Sequence, residues 1–137
     1  MRGRLLVAAA MAALSVATAG AQNAPSPEAR ALIERQLDAF SRDDAAGAYS
    51  EASPQVKEIF PDPDRFMAMV RRSYAPVYRH RSVEFGPATM DGETMQQEAI
   101  FVDAQGKVWK ALYRLSRGPD GGWLISSCRL IEAGEAA

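Results

Sequence analysis

The chain has 137 residues, 16 basic and 17 acidic side chains, a formal net charge of −1 at pH 7, one cysteine and one histidine. That balance lacks the basic face that phosphate recognition needs, which excludes nucleic acid as a general partner. One Cys and one His cannot supply the four ligands of a structural zinc, and no intramolecular disulfide can form, so stability has to come from one modest core or from oligomerisation.

Residues 1–21 read as a cleaved signal peptide. Arg2 and Arg4 supply a positive start, Leu5 to Ala17 an apolar run, and "ATAGAQ" two small-x-small cleavage sites, ending at Ala19 or Ala21, with a cut before Gln22 favoured. The run is too short and alanine-rich for a bilayer span, which wants about 20 strongly apolar residues. No cysteine follows the cut to carry a lipid. The expected mature protein is therefore exported (periplasmic or secreted) and free of any integral membrane segment. It is slightly more acidic than the whole chain, with fourteen basic residues against seventeen acidic.

Residues 22–27 form a polar, proline-containing lead expected to be disordered, and a single α+β domain follows over 28–132. Ser26-Pro27, Ser53-Pro54 and Asp62-Pro63 each place an N-cap oxygen before a proline at the first helical position. The first helix is predicted over Pro27 to Ser41, with Ile33, Leu37 and Phe40 on one stripe. Asp43-Asp44 caps a short "AAGAYSEA" helix anchored by Tyr49, and "SPQVKEIF" adds one or two turns that bury Val56 and Phe60. The last helix carries Phe66, Met69, Val70 and Tyr74 on one side and is expected to stop at Pro76.

From Ser82 the period changes to alternation. "SVEFGPATM" turns at Asp91-Gly92 into "ETMQQEAIFVD", "AQG" turns into "KVWKALYRLSR", and "GPDGG" turns into "WLISSCRLIE". Four strands with turn signals between neighbours predict an antiparallel meander. Residues 133–137, "AGEAA", are expected to be a disordered tail. Helices packed on a curved four-stranded sheet are the predicted architecture.

"IERQLDAFSRDDAAGAY", "AQGKVWKALYRL" and the "GGWLI…C" strand together resemble the cystatin-like α+β cone of the nuclear transport factor two-like and SnoaL-like proteins. Within that superfamily the chain is similar to an exported bacterial family, domain of unknown function 4864, over nearly all of the mature sequence. The resemblance implies a conical pocket between helices and sheet, and often a sheet-to-sheet homodimer. It implies no particular chemistry, because the superfamily ranges from isomerases to pure interaction modules.

Cys128 alternates with Leu124, Ser126 and Leu130 and reads first as core, since no second cysteine or nearby base is there to activate it. An exposed strand would instead allow an intermolecular disulfide. Arg72, Arg79, His80 and Arg81 are candidates for an anion site, though with Arg71 they read sooner as a solvated helix end, because their spacing disperses the charges. Glu98 and Tyr113 are the catalytic candidates, a base and a hydroxyl donor of the isomerase kind. Tyr49, Tyr74, Tyr78, Trp109, Tyr113 and Trp123 are the candidates for a pocket lining. No cofactor and no metal are expected; the scattered methionines lack the clustering of a copper site. Three functions stay open: non-catalytic binding of an unidentified small molecule or envelope protein, a pocket enzyme of isomerase or lyase type using Glu98 and a tyrosine, and a structural dimer.

Overall fold

In the computed structural model, which describes residues 24–135, short-range capping sets the helices much as the dipeptides imply. Helix α1 spans Pro27–Ser41, α2 Ala45–Ser50, α3 Pro54–Ile59, α4 Pro63–Ser73 and α5 Ala75–Tyr78. The Ser26 hydroxyl accepts the Ala29 N–H at 3.2 Å, Asp44 accepts Gly47 N–H at 3.0 Å, and Asp62 accepts Arg65 N–H at 2.8 Å. Each bond satisfies one donor that a helix start leaves unpaired. Gly47 is required by that cap, because a Cβ there would lie 2.3 Å from the Asp44 carboxylate. Ser53 occupies the cap position of α3 without a capping bond, its hydroxyl buried and unpartnered. Its backbone N–H donates to Ile125 O at 2.9 Å. The last long helix ends at Ser73 rather than at Pro76, and Pro76 sits in the first turn of the separate helix α5, where a missing N–H does no harm.

Strands β1 (His80–Asp91), β2 (Thr94–Asp103), β3 (Lys107–Arg117) and β4 (Trp123–Glu135) form an antiparallel sheet in the order β1-β2-β3-β4. The β1–β2 turn has Gly92 at a left-handed φ of 62°, as the Asp-Gly signal requires. Strand β4 runs on through Glu135, which pairs with Lys107, so residues 133–135 belong to the sheet and not to a tail. The lead is also ordered from Ala24 on: Ala24 O accepts the Ala88 N–H at 3.1 Å, and Ser26 N–H donates to Gln97 Oε1 at 3.0 Å. The expected leader, residues 1–21, lies outside the described residues.

The central strands pair regularly, and every bulge falls on an edge strand. Strand β1 carries an extra residue between His80 and Ser82 and between Phe85 and Ala88; β4 carries one between Ile125 and Ser127 and between Glu132 and Gly134. Bulges add local twist, which curls the longer outer strands around the shorter inner ones. Both edges are partly closed by chain: the lead lies along β1, and Ala52 makes a parallel bridge to Ile125 of β4. Such covering blunts the pairing potential of an open edge.

One sheet face carries the helices. Met95, Gln97, Ala99 and Phe101 of β2 and Ala111, Tyr113 and Leu115 of β3 are buried there beneath Leu32, Ile33, Leu37, Phe40, Met67 and Val70. Gln97, the polar member of this layer, is fully satisfied: besides accepting from Ser26 it donates to Gly86 O and Glu98 O, both at 2.8 Å. It thereby ties the start of α1 to the bulge in β1. No helix of the described residues is long and apolar enough to cross a membrane.

Candidate functional site

Where the helices meet β3 and β4 they do not close fully, and a cleft of about 200 Å³ remains. Its helical walls are Phe40 of α1, Val56 and Ile59 of α3 with the following Phe60, and Phe66, Met69 and Val70 of α4; Tyr74 and Val77 follow, and Tyr113, Ser126, Ser127 and Cys128 form the sheet side. Ile59 marks the mouth, lining the cleft while remaining 72% exposed. The aromatic wall is braced from behind. Tyr49 donates its hydroxyl to Phe60 O at 2.6 Å and stacks at a tilt on Phe66, 5.7 Å between centroids, and Phe60 meets Phe66 edge-on at 6.3 Å.

Most polar groups of the lining are bonded to backbone carbonyls. Tyr74 donates to Cys128 O at 2.6 Å, Gln36 donates to Ala48 O at 3.2 Å, and Ser126 donates to Arg114 O at 3.0 Å. The Tyr113 hydroxyl is different: it is buried with no oxygen or nitrogen partner, and only the Cys128 thiol stands by it as a weak hydrogen-bonding neighbour. The Cys128 thiol, cross-strand from Tyr113, is near enough to act on its ionisation. Burial holds the Tyr113 phenol well above its ordinary range, with the Cys128 thiol adding to the rise. Burial likewise raises Tyr74, again with Cys128 contributing. The same desolvation pushes the Cys128 thiol up to about 12, and the Tyr113 hydroxyl only partly offsets it. Cys128 is thus a protonated thiol in the cleft wall. It shares its face with Ile125 and Leu130, because the extra residue Ser126 breaks the expected alternation with Leu124.

Of the pocket candidates read from the sequence, Tyr74 and Tyr113 line the cleft and Tyr49 braces it. The other three stand elsewhere. Tyr78 donates to Asp43 Oδ1 under the Arg79 guanidinium, which lies 3.9 Å from its ring. Trp109 donates its indole N–H to Asp103 Oδ2 at 2.9 Å, while Asp103 Oδ1 accepts from the N–H groups of Gln105 and Lys107. That indole, followed by the two backbone donors, holds the Asp103 carboxyl below its ordinary range and locks the β2–β3 turn. Trp123 donates to Glu28 Oε2 and lines a separate cleft with Met90, Glu93, Thr94, Ser116 and Arg117.

The catalytic pairing does not form. Tyr113 pairs across the ladder with Gln97 and faces the helices, whereas Glu98 pairs with Leu112 on the opposite face. Glu98 lies 26% exposed there, in an ion pair with Lys110 Nζ at 3.3 Å. The anion candidates do not converge either. Arg79 bridges Phe40 O and Asp43, His80 Nδ1 stands 3.0 Å from Val77 O with its ring edge-on to Phe101, Arg81 donates to Ala104 O, and Arg72 is exposed on α4. The three cleft phenylalanines were readable in the sequence only as core, since an apolar stripe does not say where packing stops.

A family model described as "Domain of unknown function (DUF4864)" matches residues 22–137. The chain belongs to this family. The match covers every element around the cleft, so α1 to β4 together constitute one DUF4864 domain. No curated protein and no solved structure matches the chain. No group of three or more His, Cys, Asp or Glu placed to hold a metal occurs among the described residues.

Proposed function

We propose that the protein is an exported binding module that holds a small, largely apolar molecule in the cleft between its helices and the β3–β4 face. One observation carries this reading: the wall of the cleft contains aromatic and aliphatic side chains, hydroxyls, a thiol and one amide, but no carboxylate, imidazole, lysine or arginine. Such a lining suits an apolar ligand, and it lacks the base that proton abstraction or thiol activation requires. The volume also fits: a dry apolar cavity of about 150 Å³ takes up benzene, so this one suits a molecule of slightly greater bulk. The helices-then-meander order, with a cleft beneath the helices, supports the nuclear transport factor two-like placement as part of the same proposal. Export rests on Arg2, Arg4, the apolar run from Leu5 to Ala17 and the small-residue sites before Gln22.

Native mass spectrometry of the protein purified from a periplasmic extract tests both halves. A reproducible added mass that denaturation removes, on a chain beginning at Gln22, is the expected result. A full-length chain recovered from the cytoplasm refutes export. A bare chain whose Cys128 no apolar compound shields from a thiol reagent refutes binding.

A further inference from the structure

We infer that the cleft selects an uncharged ligand carrying one hydrogen-bond acceptor, such as an aryl or short alkyl ketone or ester, whose oxygen takes the Tyr113 hydroxyl proton. The inference rests on the cleft being a binding site and adds the chemical class of what fills it.

The argument begins with hydrogen-bond satisfaction. Among the polar groups of the lining, the Tyr74 hydroxyl, the Gln36 amide N–H and the Ser126 hydroxyl already donate to backbone carbonyls. Ser127 is exposed. Tyr113 is 1% exposed, and its hydroxyl alone in the lining is buried without an oxygen or nitrogen partner. A phenol in the middle of a sheet would be replaced by phenylalanine at no loss of packing if nothing used its hydroxyl, because an unmade buried hydrogen bond is a net penalty. Its neighbour Cys128 is only a weak donor and a weak acceptor, so that contact leaves the phenol's strong hydrogen bond unmade.

Charge supplies the second half. No lysine, arginine or histidine lines the cleft. A carboxylate inserted among Phe40, Phe60, Phe66 and Val70 would lose its hydration with only one hydroxyl to replace it, which disfavours the ion strongly. A neutral carbonyl loses far less and regains its one strong hydrogen bond from Tyr113. Arg79, one of the cations that the sequence suggested, is held by Asp43 and Phe40 O.

Three probes of matched size separate the possibilities: acetophenone (an acceptor), ethylbenzene (none) and benzoate (charged). Each is titrated into the mature protein at neutral pH, with binding read from amide chemical-shift changes in β3 and β4. Acetophenone should bind about tenfold tighter than ethylbenzene, the worth of one neutral hydrogen bond. Benzoate should bind at least about a hundredfold more weakly than acetophenone. In Tyr113→Phe the preference for acetophenone over ethylbenzene should vanish while ethylbenzene still binds. Benzoate binding as well as acetophenone, or equal affinities for acetophenone and ethylbenzene in the wild-type protein, would overturn the inference and leave the cleft a binding site. Failure of all three probes would overturn the binding reading itself. The wild-type series decides the matter even if Tyr113→Phe does not fold.

Discussion

The chemistry of Cys128 can be tested by disulfide exchange with an aromatic disulfide reagent, comparing native protein with protein unfolded in guanidinium chloride. Burial takes the thiol from its ordinary value of 9.0 to about 12. Only the thiolate attacks a disulfide. At about pH 8, roughly one unfolded chain in ten then carries a thiolate, against roughly one native chain in ten thousand, a loss of about a thousandfold. A more basic thiolate is a better nucleophile, which restores at most about thirtyfold. The native protein should therefore react at least about thirtyfold more slowly, and steric exclusion in the cleft wall widens the gap. The linked effect on stability has a definite sign. An acid whose native value is raised keeps its full stabilisation below the unfolded value, and loses it as the pH climbs above 9, where the unfolded chain ionises first. Midway between the two values the loss is about 2 kcal/mol, and Cys128→Ala should lack it. Native and unfolded rates within a few-fold of each other would refute the claim that desolvation governs this thiol.

Three further outcomes follow from groups outside the cleft. Phe101→Ala, which empties a fully buried site between His80 and Tyr113, should lower unfolding free energy by about 3–5 kcal/mol in denaturant titration; a loss below about 1 kcal/mol would contradict the packing described. Gln97→Leu leaves the Ser26 N–H and two carbonyls without their partner, and should cost at least about 1–3 kcal/mol while accelerating hydrogen exchange at Ser26; unchanged exchange there would mean that Gln97 does not hold the lead. Asp103 has a depressed native value, so its contribution is present above the ordinary 3.8 and disappears as the pH falls through the lower native one. Asp103→Asn should therefore be less stable than wild type at neutral pH, with the difference shrinking in acid; a pH-independent difference would show that the carboxylate's charge is immaterial.

How much of this was legible in the sequence depended on the range of the interactions involved. Capping is local, so Ser26, Asp44 and Asp62 announced their helices within four residues. Ser53 holds the same cap position without the bond, while its backbone N–H donates to Ile125 of β4, a distant contact that the local pattern does not show. Strand parity correctly put Glu98 with Ile100 and Val102, but both faces of β2 are apolar, and the pattern could not say which one the helices cover. The cleft itself is a shortfall of packing among α1, α3, α4 and the sheet. Tyr74 and Tyr113 were found as aromatic residues able to line it, whereas Phe40, Phe60 and Phe66 looked like any other core. Trp109 carried a usable signal that went unread: an aspartate six residues earlier, across a tight hairpin, is placed to take an indole N–H.

The bulge at Ser126 makes the inside and outside of β4 a matter of counting. Ile125 and Cys128 are three residues apart, an odd interval that ordinary pleating would send to opposite sides, and the one supernumerary serine brings both under the helices. Removal of that serine would leave the two residues an even interval apart, the spacing that ordinary pleating puts on one side, so Ile125 and Cys128 would both stay under the helices while the ladder became regular. What the extra residue supplies is therefore twist and the Ser126 hydroxyl at the cleft wall, and its loss would straighten β4 without exchanging the residues that floor the cleft.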